Sequence, residues 1–266
     1  MIDAHSHLQH LLKRISVEEI KQRALSVGVN RVVSCSCSSS DWDNSEWLGG
    51  NEDSFVLPQF GIHPWWATEP RPSDWIDRLE RKLREYPSAG VGEIGIDKNK
   101  KKTISFSVQL EVFKQQLRVA KKFNRTVSVH CVNAYGTLRD VLESESFFGS
   151  VVIHSFSGNG DQIRDFMRLE LATVYFSVSG KCPRDSVIPL IPLERILVET
   201  DSPDQPFSDI DSVQVQVPKK MDSFTNDCSQ LPLVVQRVAI AKNLSFQDVA
   251  NLTEVNTCRA FQISSF

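Results

Sequence analysis

The sequence predicts an α/β fold closed as a (β/α)8 barrel. Short apolar segments recur along the whole chain, and nearly every one is followed by a segment with helical periodicity. The segments are continuously apolar rather than alternating, as in a parallel sheet buried on both faces. Eight of them can be counted, the number that closes a barrel. With 266 residues, 41% of them hydrophobic, the chain can fill one large core, and no repeat, low-complexity tract or linker divides it. The expectation is one barrel domain over residues 1–266.

The first strand is read over residues 1–7, ending in His5-Ser6-His7. On a strand these two histidines share a face, because side chains alternate. Residues 17–27 read as a helix, with Ser16 as N-cap, Glu19 completing a capping box and Gly28 as the stop. Residues 31–35 form the second strand, followed by a polar loop and a weak helix carrying Trp42 and Trp47. The third strand covers 55–63 and runs into His63. Trp75, Ile76, Leu79 and Leu83 give residues 73–86 an apolar helical stripe. The fourth strand, 89–95, carries Glu93.

Residues 106–123 are the longest helix, with Val108, Val112, Leu117, Val119 and Ala120 facing the core. Strand five (126–130) ends at His130, and strand six (150–154) ends at His154 after a short helix over 135–142. A helix over 163–171 and strand seven over 173–178 follow. Pro189 limits 187–191 to a helical turn. Strand eight, 195–201, ends in Asp201, and a long polar loop with Pro206 and Pro218 spans 204–226. Helices over 233–241, 246–252 and 254–261 close the chain. Ser245 caps the second of them, with Asp248 in its first turn.

Lys+Arg 30 against Asp+Glu 33 leaves a formal net charge of −3, which excludes a global basic field for nucleic acid. Any phosphate binding must be local. The six cysteines (Cys35, Cys37, Cys131, Cys182, Cys228 and Cys258) form no Cys-x-x-Cys pair. Together with the lack of a signal peptide or a bilayer-spanning apolar run, they read as reduced thiols of a cytoplasmic or nuclear protein without membrane attachment. Cys35 and Cys37 read as small packing residues, and so does Cys131 beside His130.

In a (β/α)8 barrel the chemistry sits at the C-terminal ends of the strands. His5, His7, His63, Glu93, His130, His154 and Asp201 all fall at or near such ends, leaving only His10 of the 6 histidines outside the set. Imidazoles with carboxylates suit Zn²⁺ or Mn²⁺, and Mg²⁺ where carboxylates and water dominate. The ligands outnumber what one ion needs, so two divalent ions bridged by Glu93 are expected, with Asp201 as general base or water-positioning group. The reaction class is metal-assisted hydrolysis.

These residues resemble the TatD family of metal-dependent hydrolases. The matching motifs are Asp3-Ala4-His5-Ser6-His7-Leu8, Gly61-Ile62-His63-Pro64, Gly92-Glu93-Ile94-Gly95-Ile96-Asp97, the helical stretch 113–117 leading to His130, His154-Ser155-Phe156-Ser157-Gly158, and Glu199-Thr200-Asp201-Ser202-Pro203. The closing helix over 256–261 also resembles the family's ending. The resemblance implies a TIM barrel of the amidohydrolase type and deoxyribonuclease activity, commonly on DNA ends. It further implies that His5, His7, Glu93, His130, His154 and Asp201 are the metal ligands.

The substrate side departs from the family pattern. Asp97 is followed by Lys98-Asn99-Lys100-Lys101-Lys102 where many members carry an aromatic. His130 is followed by Cys131 rather than arginine, and Trp65 and Trp66 stand where many members have a second histidine. This pattern resembles the eukaryotic and fungal branch, some of whose members are described as partner-interacting proteins. The expected substrate contacts are His63, Trp65, Lys98 and Lys100, with lysines holding phosphates and tryptophan stacking on bases. DNA is the expected substrate. Two alternatives are a related metal hydrolase acting on a small amide or ester, motivated by the missing arginine, and a barrel scaffold with a protein partner, motivated by the 204–226 loop.

Overall fold

A computed structural model describes residues 1–12, 15–43, 54–206 and 226–264. It contains eight strands in chain order: β1 (Ile2–Ser6), β2 (Arg31–Cys35), β3 (Val56–Gln59), β4 (Val91–Asp97), β5 (Val127–Val132), β6 (Gly149–Ile153), β7 (Ala172–Val178) and β8 (Ile196–Val198). Every pair is parallel and joins consecutive strands, in ladders β1-β2-β3 and β4-β5-β6-β7-β8. Single bridges, Gln59 to Gly90 and Ser6 to Ser202, link the two ladders and complete the ring. Asp3 reinforces the second seam. Its carboxylate accepts hydrogen bonds from the Thr200 amide (2.9 Å) and hydroxyl (2.5 Å), tying β1 to the chain just beyond β8.

The helices are α1 (Leu8–Leu11), α2 (Val17–Leu25), α3 (Trp75–Glu85), α4 (Phe106–Phe123), α5 (Tyr135–Ser144), α6 (Gly160–Met167), α7 (Leu231–Lys242) and α8 (Phe246–Phe261). Among the described residues none is long and apolar enough to cross a membrane. Outward strand residues such as Val91, Val127 and Phe176 share one core with Leu79, Phe113, Leu138 and Val235 of the helices. A smaller cluster holds the alternate strand positions Ile2, Ala4, Val33, Leu57, Val152, Tyr175 and Leu197. It spans six strands, so it fills the barrel's interior. Cys258, Ala260 and Phe261 at the end of α8 join it from below, and the Thr126 hydroxyl donates to the Ala260 carbonyl (2.6 Å) at the start of β5.

Two strand irregularities aim side chains into the barrel mouth. In β1, Asp3 pairs with Val32 but Ser6 pairs with Ser34, so β1 spends one residue more than β2. The extra residue lets Ala4 and then His5 both face inward. In β4, Val91 pairs with Val127 and Ile94 with Val129, again one residue extra, and the residue re-aimed is Glu93. Re-aiming a side chain beside a site is a common use of a bulge.

Glycine is required where β4 meets its neighbours beside the site. A Cβ on Gly95, whose φ is +144°, would stand 2.0 Å from the His130 carbonyl oxygen. One on Gly61 would stand 2.6 Å from the Gly92 carbonyl carbon. The bare backbone at Gly61 lets residues 60–63 run close along β4 and carries His63 to Glu93.

Several boundaries differ from the sequence reading. β3 stops at Gln59, and His63 instead caps the 3-10 turn Pro64–Trp66, with its ring accepting from the Trp65 amide. β8 stops at Val198, so Glu199 and Asp201 lie beyond it, and Asp201 adopts a left-handed φ of +54°. α6 begins at Gly160, set by an Asn159–Gln162 capping box. Residues 246–261 are one helix rather than two, because Thr253 turns its hydroxyl back onto the Val249 carbonyl (2.8 Å) and so does not interrupt it. Trp42 lies in a short 3-10 turn, Asp41–Asp43, while Trp47 and most of the 204–226 loop lie outside the described residues.

Candidate metal centre

Five histidines converge on one carboxylate. Glu93 Oε1 lies 3.2 Å from His63 Nε2, 3.0 Å from His130 Nδ1 and 2.9 Å from His154 Nε2. Its Oε2 lies 3.3 Å from His5 Nε2 and 3.2 Å from His7 Nε2. Asp201 Oδ1 faces the same group, 3.7 Å from His5 Nε2 and 3.6 Å from His7 Nε2. All seven residues come from strand ends or the loops just after them. All of them but His5, which is fully buried, line a cavity of about 370 Å³ together with Trp65, Asp204 and Gln205.

The outer nitrogens separate the histidines into two kinds. His7 Nδ1 lies 2.9 Å from the Cys35 carbonyl, which can only accept, so this nitrogen carries the proton and Nε2 offers a lone pair inward. His130 Nε2 faces Asp97 Oδ2 (3.4 Å), with the same consequence, while His154 Nδ1 lies 3.4 Å from Glu199 Oε1 as an ion pair without hydrogen-bond geometry. His5 Nδ1 rests against the Cys35 thiol (3.4 Å). An outer acceptor that fixes a histidine's tautomer and turns its lone pair inward is the usual second layer of a metal site. His63 is reversed. Its Nδ1 accepts from the Trp65 amide (3.1 Å), so its proton sits on Nε2, which faces Glu93 Oε1 (3.2 Å).

The electrostatics divide the histidines differently, with burial pushing His5 and His63 down while neighbouring groups draw His7, His130 and His154 up against burial. Burial pushes the Glu93 carboxyl up, but His154, His63 and His130 together hold it well below the usual carboxylate range. Burial disfavours a charged His154, yet Glu93 and Glu199 on its two sides draw it well above the ordinary imidazole value. Without an ion, the charge that balances Glu93 is carried by these imidazoles, and a bound cation would take its place. Burial drives His63 down to about 3, so it stays neutral.

The donor set fits divalent ions. Three groups bring ligand atoms within 4.8 Å of one another: His5, His7 and Glu93; His5, His154 and Glu199; His63, Glu93 and His130. Among the described residues, His5 Nε2, Glu93 Oε1, Glu199 Oε2 and Asp201 Oδ1 are buried with no hydrogen-bond partner. Such orphaned atoms are costly unless something else satisfies them, and a cation at their centre does so. Imidazole and carboxylate donors suit Zn²⁺ and Mn²⁺, and Mg²⁺ less well.

Comparison with known proteins gives the family. The model described as TatD related DNase matches residues 2–262. The chain belongs to the TatD-related DNase family. A Bacillus subtilis (strain 168) relative, named the uncharacterized metal-dependent hydrolase YabD, is 26% identical over 274 residues, covering 99% of this chain and 100% of that one. A Pantoea vagans relative named 3'-5' ssDNA/RNA exonuclease TatD is 27% identical over 259 residues, covering 93% and 94%. The crystal structure of YjjV, a TatD homologue from Escherichia coli K12, superposes with a TM-score of 0.79 at 22% identity over 99% of this chain and 98% of that one, which establishes the shared TatD-type barrel fold.

The expected substrate residues of this TatD-family chain divide. His63 and Trp65 line the cavity. Lys100 reaches its rim, with its ammonium 4.3 Å from the centroid of the Trp65 ring. Lys98 does not line the cavity. Its ammonium lies over Phe106 (5.7 Å), because the turn Lys98–Lys100 points successive side chains to different sides.

Three contributors were not singled out from the sequence. Glu199 orients His154 and holds the Ser155 amide (2.6 Å). Its spacing of two from Asp201 was the available signal. Asp97 accepts from the Trp65 indole (2.7 Å) as well as facing His130; burial pushes its carboxyl up, but those contacts hold it down at about 2. Gln205 reaches Asp201 from within the loop, and no periodicity marks it.

Proposed function

We propose that this chain is a divalent-metal-dependent nuclease that hydrolyses phosphodiester bonds at the ends of single-stranded DNA. His5, His7, Glu93, His130, His154 and Asp201 would hold its two divalent ions. One observation carries the reading. The outer acceptors of His7 and His130 leave a lone pair on the nitrogen that faces Glu93, while His63 presents a proton. A site that only bound metal would have no use for the reversed one. The family membership and the named activity of the Pantoea relative support the same reading.

Bound divalent ions supply Lewis acidity, making water nucleophilic at neutral pH and neutralising charge on the phosphoryl oxygens. The residues of the chain do the rest. Asp201 Oδ1, unpartnered at the cavity floor, orients the attacking water and takes its proton. His63 Nε2–H donates to a phosphoryl oxygen and remains neutral while doing so. Trp65, 42% exposed at the mouth with its indole N–H held by Asp97, offers a fixed face to the terminal base, and Lys100 beside it meets a backbone phosphate.

The test is cleavage of end-labelled single- and double-stranded DNA with Mg²⁺, Mn²⁺ or Zn²⁺, with Asp201→Asn as the control. Metal-dependent shortening of the single strand from its 3′ end, lost in the control, is expected. Folded, metal-loaded protein that cleaves neither DNA nor a simple phosphodiester overturns the reading.

Trp65 has two separable contributions. Trp65→Ala is expected to raise KM for single strands roughly 5- to 100-fold, the effect of losing one stacked base. Trp65→Phe keeps an aromatic face and should leave KM nearly unchanged. Both variants lose the N–H to Asp97, so a modest fall in kcat should be common to them. Steady-state kinetics on one labelled oligonucleotide separates the two, and equal KM for all three proteins rules out the stacking contact.

A further inference from the structure

We infer that Gln205 is a positioning residue that fixes which oxygen of Asp201 faces the histidines. The inference rests on the metal-site reading above and extends it to a residue outside the ligand set.

Gln205 Nε2 donates to Asp201 Oδ2 at 2.6 Å. Its Oε1 accepts from the hydroxyls of Ser155 and Ser179, each at 2.8 Å. The orientation of the amide is forced. Flipping it would set an oxygen against a carboxylate oxygen and an NH₂ against a Ser179 oxygen that already accepts from two amides. Ser179 Oγ accepts from the Lys181 amide (3.3 Å) and the Cys182 amide (3.1 Å), so its own proton is free to point at Gln205. The result is a one-way chain of donors, from the backbone after β7, through Ser179 and Gln205, to Asp201.

The far end of that chain is held rigidly. Arg237 on α7 donates to the carbonyls of Ser179 (2.7 Å) and Pro183, and its Nε donates to Asp185 (2.8 Å), clasping the 179–185 loop to the barrel. Ser155 follows His154 directly. One side chain thus ties together the loops after β6, β7 and β8. Gln205 itself adopts φ +48°, a left-handed conformation that a residue with a Cβ holds only when its contacts require it.

The consequence falls on Asp201. With Oδ2 occupied by the amide, the carboxylate cannot rotate, and Oδ1 alone is left bare, 3.6–3.7 Å from His7 and His5. Without Gln205 either oxygen, or both, could turn to the cation. Gln205 therefore sets how Asp201 engages an ion, and fixes the oxygen that handles the water.

The test uses the full chain with Co²⁺ as the probe, which reports coordination through its visible absorption. The variants are Gln205→Leu, which removes all three bonds, and Gln205→Glu, which lets the serines donate as before but cannot donate to Asp201. Both should fold with the native circular dichroism spectrum. Both should weaken Co²⁺ binding by about 10- to 100-fold, the usual loss for an outer partner of a metal ligand. Both should also shift the Co²⁺ absorption bands, a change that a purely structural residue would not produce. Native affinity and native bands in the two variants overturn the inference while leaving the metal site intact. A native chain that binds no Co²⁺ overturns the metal-site reading itself, and the role of Gln205 with it.

Discussion

Glu93→Gln is expected to end hydrolysis while leaving the barrel folded. The carboxylate lies within 3.3 Å of nitrogens from His5, His7, His63, His130 and His154, so both halves of the site lose their common acceptor at once. Outer partners of metal ligands are worth 10- to 100-fold, and a central ligand is worth more; kcat should fall by at least about a thousand-fold, or about 4 kcal/mol of transition-state stabilisation. Stability should fall as well. Glu93 is 1% exposed, yet the histidines around it hold its carboxyl well below the usual range, so its charge favours the metal-free fold despite burial. A neutral amide leaves those imidazoles without their counter-charge, so the metal-free variant should melt below the metal-free native chain. Metal content by mass spectrometry, kcat at saturating metal and paired melting curves check all three points. Activity within tenfold of native would exclude Glu93 from the centre of the site.

How much of this was legible in the chain depends on the kind of signal. The eight apolar segments and the His5-x-His7 pair report local periodicity, and the barrel and the pair's shared inward face follow from it. The extra residue in β1 and in β4 does not report itself. Ala4 and Gly92 look like ordinary strand residues, and only the register against Val32–Ser34 and Val127–Val129 shows that His5 and Glu93 are re-aimed. His63 was placed at a strand end, yet it caps a turn, and that difference decides its tautomer. The charge run at 98–102 is a single feature in the sequence, but the turn sends Lys100 to the rim and Lys98 to Phe106. Asp97 and Glu199 act through partners distant in sequence, and Gln205 reaches its neighbour Asp201 only because Ser155 and Ser179 hold it there. A single sequence shows which residues can carry protons and metals, but not which of them meet.

The helix behind the site provides the second large effect, this time on stability. Gln116→Leu is expected to destabilise the fold by about 2–5 kcal/mol, through two buried peptide groups left unpaired at about 1–3 kcal/mol each. Gln109 and Gln116 lie seven residues apart on α4, two turns on one face, and both are buried among Val112, Phe113 and Leu117. Each clamps one peptide at a strand end. Gln109 accepts from the Asp97 amide (2.7 Å) and donates to the Asp97 carbonyl (3.2 Å). Gln116 accepts from the Ile62 amide (2.6 Å) and donates to the Ile62 carbonyl (3.0 Å). These peptides precede His63 and follow Glu93, in the stretches where β3 and β4 stop pairing with ordinary ladder bonds. Leucine matches glutamine in volume, so the loss measures the hydrogen bonds rather than a cavity. Gln115→Leu, one position away on the outer side where its amide bonds Glu111, should change stability by no more than about 0.5 kcal/mol. Urea unfolding with unchanged m separates the two variants. Since Ile62 carries His63, any Gln116→Leu protein that folds should also lose kcat, with metal affinity nearly native. A loss of metal affinity equal to the loss of kcat would instead mean that α4 supports the ligands themselves, and that His63 is one of them.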